Sequence, residues 1–399
     1  MTQEIQLRVK QEFVKAYKEG YPLISKESIL NWDRVKEEGS VLNLVDDKGK
    51  FIIKAYHGVQ NKGYGWALSR KKDEKIDTDF FIRKINSAIE YREEFFKDKS
   101  TTAFRVLNGE GDGLGGLTID YFDGYYLLTW YSLGIYEFKT DILEALKKSV
   151  DYKGIYQKKR FDSKGKYLDE KDDFICGKKA PEPLIVKESG ANFAIYLDDG
   201  AMVGVFLDQR DVRRTIRDKY AKGKTVLNTF SYTGAFSIFA SLGCSTKTTS
   251  VDLAKRSLPK TTEQFEVNNI DAKSQDIIVE DVFNYFKYAV KKNLIFDMVV
   301  LDPPSFARSK KRTFSASKDY VNLLKEAIQI TKKGGIIVAS TNSANFSMMT
   351  FSDFISKAFK ELKGKYEVKE RFTLPKDFRV LDKFKEGNYL KVVFIKKLK

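Results

Sequence analysis

From about Lys222 onward, short apolar runs alternate regularly with amphipathic helical patterns, and this alternation narrows the fold more than any other feature of the chain. Apolar runs bounded by breakers mark strands buried on both faces. The pattern predicts strands over 225–230, 248–252, 276–279, 296–301 and 335–341, with helices over 235–242, 253–268, 282–291 and 320–331. Strand and helix in turn give a largely parallel sheet with helices on both faces, a Rossmann-like doubly wound α/β architecture. Such sheets bind ligands beyond the carboxyl ends of their strands.

The run 296–301 closes in Asp302-Pro303-Pro304-Ser305-Phe306. Consecutive prolines remove two backbone donors and hold the chain in a narrow range of shapes. A carboxylate and an aromatic ring are thereby held at a strand end, a pairing suited to a flat, hydrogen-bonding substrate such as a nucleobase. Standing alone, the stretch would read better as an ordinary strand-terminating turn. Three other strand ends argue for chemistry. The first runs Asn228-Thr229-Phe230-Ser231-Tyr232-Thr233-Gly234, where hydroxyls and a glycine let the backbone approach a ligand at a helix start. The second ends in Val251-Asp252, an acidic residue placed to accept both hydroxyls of a ribose. The third ends in Glu280-Asp281-Val282, an acceptor for an adenine amino group beside an apolar flank.

Composition removes other classes. Of 399 residues, 42% are hydrophobic and 14% aromatic, enough for two or three packed domains and too apolar for a disordered chain. The formal net charge of +16 points to a polyanionic partner, nucleic acid ahead of membrane, because no amphipathic anchor or spanning stretch is evident. Met1-Thr2-Gln3-Glu4 lacks a signal-peptide pattern, and with only Cys176 and Cys244 a cytoplasmic location is expected. The single histidine, His57, excludes a histidine triad or multi-histidine metal centre, and no metal is expected.

Upstream, residues to about Arg70 alternate β-like runs with glycine turns, and Asp46-Asp47-Lys48-Gly49 between two such runs is hairpin chemistry. The charged run 69–75 marks a boundary, followed by helical periodicity over 79–96. Gly111-Asp112-Gly113-Leu114-Gly115-Gly116 satisfies G-x-G-x-x-G, but a dinucleotide fingerprint requires a helix next. The continuation Leu117-Thr118-Ile119-Asp120 reads as a strand, so a glycine-rich hairpin is expected. The basic stretch from Gln157 through Lys166 reads as a solvated loop, with an RNA-backbone contact as the sharper alternative.

Taken together, Asn-x-Phe-Ser-Tyr-Thr-Gly at 228–234, Val-Asp at 251–252, Asp-Val-Phe at 281–283 and Asp-Pro-Pro-Ser-Phe at 302–306 resemble class I S-adenosylmethionine-dependent methyltransferases. Their order is similar to that in bacterial large-subunit ribosomal RNA 5-methylcytosine methyltransferases. The resemblance extends to Gly111–Asp120 and to Phe206-Leu207-Asp208-Gln209-Arg210-Asp211. It implies a small β-rich PUA-like domain over 1–72, an α+β middle domain over 73–187 and a methyltransferase domain over 188–399.

The implied cofactor is S-adenosylmethionine, with S-adenosylhomocysteine as product. Carried over by position, Asn228, Phe230, Ser231, Thr233 and Gly234 wrap its methionine portion, and Asp252 with Leu253 holds the ribose end. Asp281 and Val282 contact adenine, while Asp208, Gln209 and Arg210 cover the cofactor from outside the sheet. Asp302 and Pro303 lie between methyl donor and acceptor base, and Phe306 offers a stacking surface worth about 1–3 kcal/mol. Arg308, Lys310, Lys311 and Arg312 suit RNA phosphates. The implied partner is large-subunit ribosomal RNA or its assembly intermediate, without a membrane and with a homodimer left open.

One departure changes the chemistry. Cytosine carbon-5 is a poor nucleophile, and enzymes that methylate it usually first add a cysteine thiolate to the ring. Where the family carries that cysteine, this chain has Asn342, and neither Cys176 nor Cys244 replaces it by sequence position. Carbon-5 is what the resemblance implies. Two alternatives stand beside it: methylation of a guanine nitrogen, or a noncatalytic cofactor-binding ribosome-assembly factor. The first draws on Asp-Pro-Pro-Ser-Phe-x-x-Ser-Lys, which also resembles ribosomal guanine methyltransferases. Asn342 becomes a candidate reader of a base edge, and reads equally well as a structural asparagine at a strand end.

Overall fold

The computed structural model describes residues 4–60, 63–161, 173–200, 202–308 and 313–399. The chain divides into two compact units. The first holds Met1–Leu184, Tyr196–Val203 and Lys376–Gly387; the second holds Ile185–Ile195, Gly204–Pro375 and Asn388–Lys399. Two stretches of the expected 188–399 domain therefore belong to the first unit.

Among the described residues, that unit contains two five-stranded sheets. In the N-terminal one the spatial order is Glu4–Arg8, Val41–Val45, Phe51–Gln60, Gly63–Ser69, Leu23–Ile24. Its hairpin turn is built by Asp46, whose Oδ1 accepts from the N–H groups of Lys48 and Lys50 at 3.1 and 2.9 Å, with Gly49 left-handed at φ 76°. His57 is buried, its Nδ1 2.7 Å from the Tyr64 carbonyl oxygen, a structural role.

The second sheet begins with the antiparallel pair Ala103–Asn108 and Leu117–Phe122, and the G-x-G-x-x-G stretch is their connection. Its glycines serve close packing. A Cβ on Gly111 would lie 1.9 Å from the Arg379 carbonyl oxygen, and one on Gly115 would lie 2.4 Å from the Trp66 ring. Arg92, fully buried, pairs with Asp112 at 2.8 Å and donates twice to the Asp377 carbonyl oxygen, at 2.6 and 2.9 Å. These contacts fasten Lys376–Gly387 into the first unit.

The second unit is built on one seven-stranded sheet of β1 (Thr225–Thr229), β2 (Lys247–Asp252), β3 (Asp276–Val279), β4 (Phe296–Leu301), β5 (Thr331–Thr341), β6 (Tyr366–Phe372) and β7 (Lys391–Lys397). The spatial order is β3-β2-β1-β4-β5-β7-β6, with β7 antiparallel to both its neighbours. The associated helices are α1 (Ala235–Leu242), α2 (Ser257–Glu266), α3 (Val282–Lys291), α4 (Ala316–Ile330) and α5 (Met348–Glu361). Alternation along β4 divides the core by face. Val299 and Leu301 pack with α3, α4 and α5, whereas Met298 and Val300 pack with Ile216 and with Phe236 of α1. Each such buried side chain contributes about 1.5–3 kcal/mol. Helix α2 starts at Ser257, later than the pattern predicts, because Asp252 Oδ1 accepts the Ala254 N–H at 2.8 Å and holds a turn there.

Candidate active site

Strand order reverses between β1 and β4, which opens a crevice at their carboxyl ends. Register decides what faces it. Thr229 pairs with both Val251 and Leu301, Leu301 with Ala339, and Asp252 with Val279. Phe230, Asp302, Ser340 and Asp252 therefore stand along one edge of the sheet.

The turn after β1 has three left-handed residues in alternation: Phe230 at φ 55°, Tyr232 at 52° and Gly234 at 78°. Such backbone is costly for two aromatic residues, so local bonds must hold it. Ser231 N–H donates to the Val251 carbonyl at 3.1 Å, Tyr232 N–H to Asp252 Oδ2 at 2.9 Å, and Thr233 Oγ1 to the Gly204 carbonyl at 2.7 Å. Gly234 must lack a Cβ, which would sit 2.5 Å from Thr261 Cγ2.

Asp252 thus spends one acceptor site on each oxygen, and a carboxylate offers about four. Leu253 beside it is 56% exposed. Asp281 Oδ1 caps α3 by accepting from Phe283 and Asn284 N–H at 3.0 and 3.2 Å, with Val282 buried behind it. Asn228 lies deeper than the other expected residues: it is fully buried, and its Nδ2 donates to Ser237 Oγ at 3.0 Å, which is 2.7 Å from Ser250 Oγ. The Phe230 ring packs toward Phe283 and Phe314 at centroid distances of 6.2 and 6.5 Å, so this residue serves the turn through its backbone.

On the acceptor side, Gln209 Nε2 donates to Asp302 Oδ1 at 3.1 Å and to Ser340 Oγ at 2.7 Å. Burial is the main force that pushes the Asp302 carboxyl up to about 6; the Asp208 charge adds to it, and Ser340, Arg213 and Gln209 oppose it. Asp208 Oδ2 in turn accepts from Tyr389 Oη at 2.9 Å. Arg210 is buried at the start of a helix, next to Gln209. Pro303 is buried, while Phe306 is 63% exposed at the start of a short antiparallel ribbon, Phe306–Arg308 against Thr313–Ser315. Arg308 lies in that ribbon, and Lys310, Lys311 and Arg312 lie outside the described residues. Ser305 Oγ donates to Asn342 Oδ1 at 2.6 Å, joining the clamp to the end of β5.

Ser340, Tyr389 and Lys391 are absent from the sequence expectations. Ser340 reaches the site by register alone, and the other two arrive with the antiparallel strand β7.

The reversed strand order and the polar strand ends define a nucleoside-binding α/β enzyme fold of the class I methyltransferase kind. Residues 105–390 match the model of an S-adenosylmethionine-dependent methyltransferase family, and residues 7–70 match that of a PUA-like domain. The chain belongs to that methyltransferase family and depends on S-adenosylmethionine. It is 56% identical over 393 residues to YwbD of Bacillus subtilis, provisionally named a ribosomal RNA large subunit methyltransferase, covering 98% of this chain and 99% of that one. It is 29% identical to ribosomal RNA large subunit methyltransferase I of Yersinia pseudotuberculosis, over 88% and 89% of the two chains. The crystal structure of SMU.776, provisionally described as a methyltransferase and complexed with S-adenosylhomocysteine, superposes with a TM-score of 0.90 at 38% identity, over 99% of this chain and all of that one.

Proposed function

We propose that this enzyme methylates a base nitrogen of large-subunit ribosomal RNA, with guanine as the substrate base. The relatives named for ribosomal RNA support the substrate, and the chain's surplus of basic residues suits it. The acceptor side carries the choice of atom. Asn342, hydrogen-bonded to Ser305, occupies the position at which the resemblance implies the thiolate of a covalent carbon-5 mechanism. Cys244 is bonded through its carbonyl to Gly223 N–H, just before β1, at the opposite end of the sheet and about 15 Å from the site by strand length. Cys176 packs against the core of the first unit.

The site's donors and acceptors fit the cofactor. Asp252 keeps acceptor capacity for a ribose diol, Asp281 and Val282 supply an acceptor beside an apolar wall, and the strained turn 230–234 brings backbone to the crevice. When bound, S-adenosylmethionine supplies an electrophilic methyl on a sulfonium. The chain's own part is positioning, because a guanine ring nitrogen that carries no hydrogen, such as N7, attacks with its own lone pair. For an exocyclic amine, Asp302 and the Pro303 carbonyl accept its hydrogens and localise that lone pair, and the proton that the methylated amine sheds passes to the Asp302 carboxylate and on to solvent. Above about pH 6 Asp302 is ionised and accepts only. Asn342 Oδ1 is taken by Ser305, which turns its amino group toward acceptor atoms of a base. Phe306 stacks on the extruded base, and Arg308, Lys310, Lys311 and Arg312 meet phosphates. The 1–72 and 73–187 sections add RNA contacts, with catalysis in 188–399.

Nucleoside mass spectrometry of ribosomal RNA from deletion and complemented strains tests this. One methylguanosine is expected to vanish and return. Loss of 5-methylcytidine instead overturns the nitrogen assignment, and an unchanged map overturns the ribosomal RNA reading.

A further inference from the structure

Lys391 opens β7 with only 6% of its surface exposed, opposite Thr341 at the end of β5. Its Nζ donates to the carbonyl oxygens of Ser343 and Tyr389, both at 2.9 Å, and lies 5.7 Å from the centroid of the Phe346 ring. Those partners are neutral. An ammonium buried against carbonyls and a ring face is more costly than an apolar side chain of similar volume, so its presence here calls for a task. Burial also lowers its pKa.

Phe346 anchors the far end of the 342–346 bend against Phe351 and Phe354, at centroid distances of 6.1 and 5.3 Å, but the polar contacts along the bend itself are weak. Ser343 N–H reaches Thr341 Oγ1 at 3.2 Å and Asn345 N–H reaches Ser343 Oγ at 3.4 Å, while Asn342, Ala344 and Asn345 are exposed. We propose that Lys391 is a positioning residue of the acceptor side: its ammonium clamps the 342–346 bend and keeps Asn342 against Ser305. The proposal rests on the reading of Asn342 as a base-edge contact. It also joins the two halves of the site, because Tyr389, whose carbonyl takes the second bond from Lys391, donates through its hydroxyl to Asp208.

The test compares Lys391→Met and Lys391→Arg in the full-length enzyme, using ribosomal RNA from a deletion strain as substrate. Lys391→Met is expected to lower kcat about 10- to 100-fold. Affinity for S-adenosylhomocysteine should stay within about twofold in calorimetry, and hydrogen exchange should quicken only in the 342–346 peptide. Lys391→Arg should restore much of both signals, and in an Asn342→Ala background Lys391→Met should add little. An unchanged kcat and exchange pattern overturns the proposal. So does parallel loss of cofactor binding with faster exchange across the sheet, which makes Lys391 a general support of the fold. If the wild-type enzyme transfers no methyl to this RNA, the substrate reading falls, and the exchange of 342–346 still decides the role of Lys391.

Discussion

Asp302 Oδ1 accepts a hydrogen bond from Gln209 Nε2 at 3.1 Å, so a residue from the segment preceding the sheet steers the carboxylate at the end of β4. The same amide nitrogen holds Ser340 at the end of β5. One side chain thereby ties together the segment we assign to the cofactor, the acceptor carboxylate and the neighbouring strand.

That relationship gives a pH signature. Asp302 is raised from 3.8 to about 6 in the folded protein. A raised carboxyl supports the folded state fully below about pH 3.8, and that support is lost as pH rises through 6. Activity runs the opposite way, because only the ionised form accepts without donating. Methyl transfer is expected to rise through pH 6. Asp302→Asn should flatten that limb and lower kcat about 100-fold or more, while losing nothing in melting temperature at pH 8. Gln209→Leu removes a bond that favours the charged form, so the limb should move to higher pH. A pH–rate profile of the three proteins decides the matter; a limb that persists in Asp302→Asn assigns it to another group.

Asp252 has two duties that one substitution separates from chemistry. It holds the left-handed turn through Tyr232 N–H and, in the cofactor site we propose, would offer acceptors to a ribose. Charge-assisted hydrogen bonds contribute about 1.5–3 kcal/mol each, so Asp252→Ala should weaken S-adenosylhomocysteine about 10- to 100-fold. Calorimetry measures this directly. Unchanged affinity would remove β2 from the cofactor site.

Much of the site was legible because strand ends are legible. β3, β4 and the second half of β5 are largely apolar, while β1 and β2 mix apolar residues with Thr, Ser and Asn, and the residue that closes or follows each strand stands at the carboxyl edge by construction. Residues within the runs were less so. Asn228 shares the face of Val226 by the two-residue period, and that face is covered by α1, which is why its amide meets Ser237 and not the crevice. Ser340, Tyr389 and Lys391 depend on inter-strand register and on an antiparallel strand that returns late, neither of which local periodicity encodes. The docking of Lys376–Gly387 in the first unit is a contact over nearly 300 residues of chain, carried by Arg92 and invisible to any local pattern.

Arg92 also supplies a test of the glycine motif. The guanidinium is fully buried against Asp112, which is 1% exposed and additionally accepts Asn108 N–H at 2.6 Å. Arg92→Met leaves the buried Asp112 carboxylate with the longer contact to Arg379 Nη1 at 3.7 Å, so stability should fall by about 3 kcal/mol in urea unfolding, the lower end of the cost of breaking a buried pair. Adding Asp112→Leu should recover only part of this, since Asn108 N–H then loses its acceptor. Gly111→Ala should destabilise by about 1–3 kcal/mol, because its Cβ would press into the Arg379 carbonyl oxygen. At temperatures where these variants remain folded, S-adenosylhomocysteine affinity should match the wild type. A drop in affinity with unchanged stability would instead make 111–116 a nucleotide cradle, the one role its position between two antiparallel strands argues against.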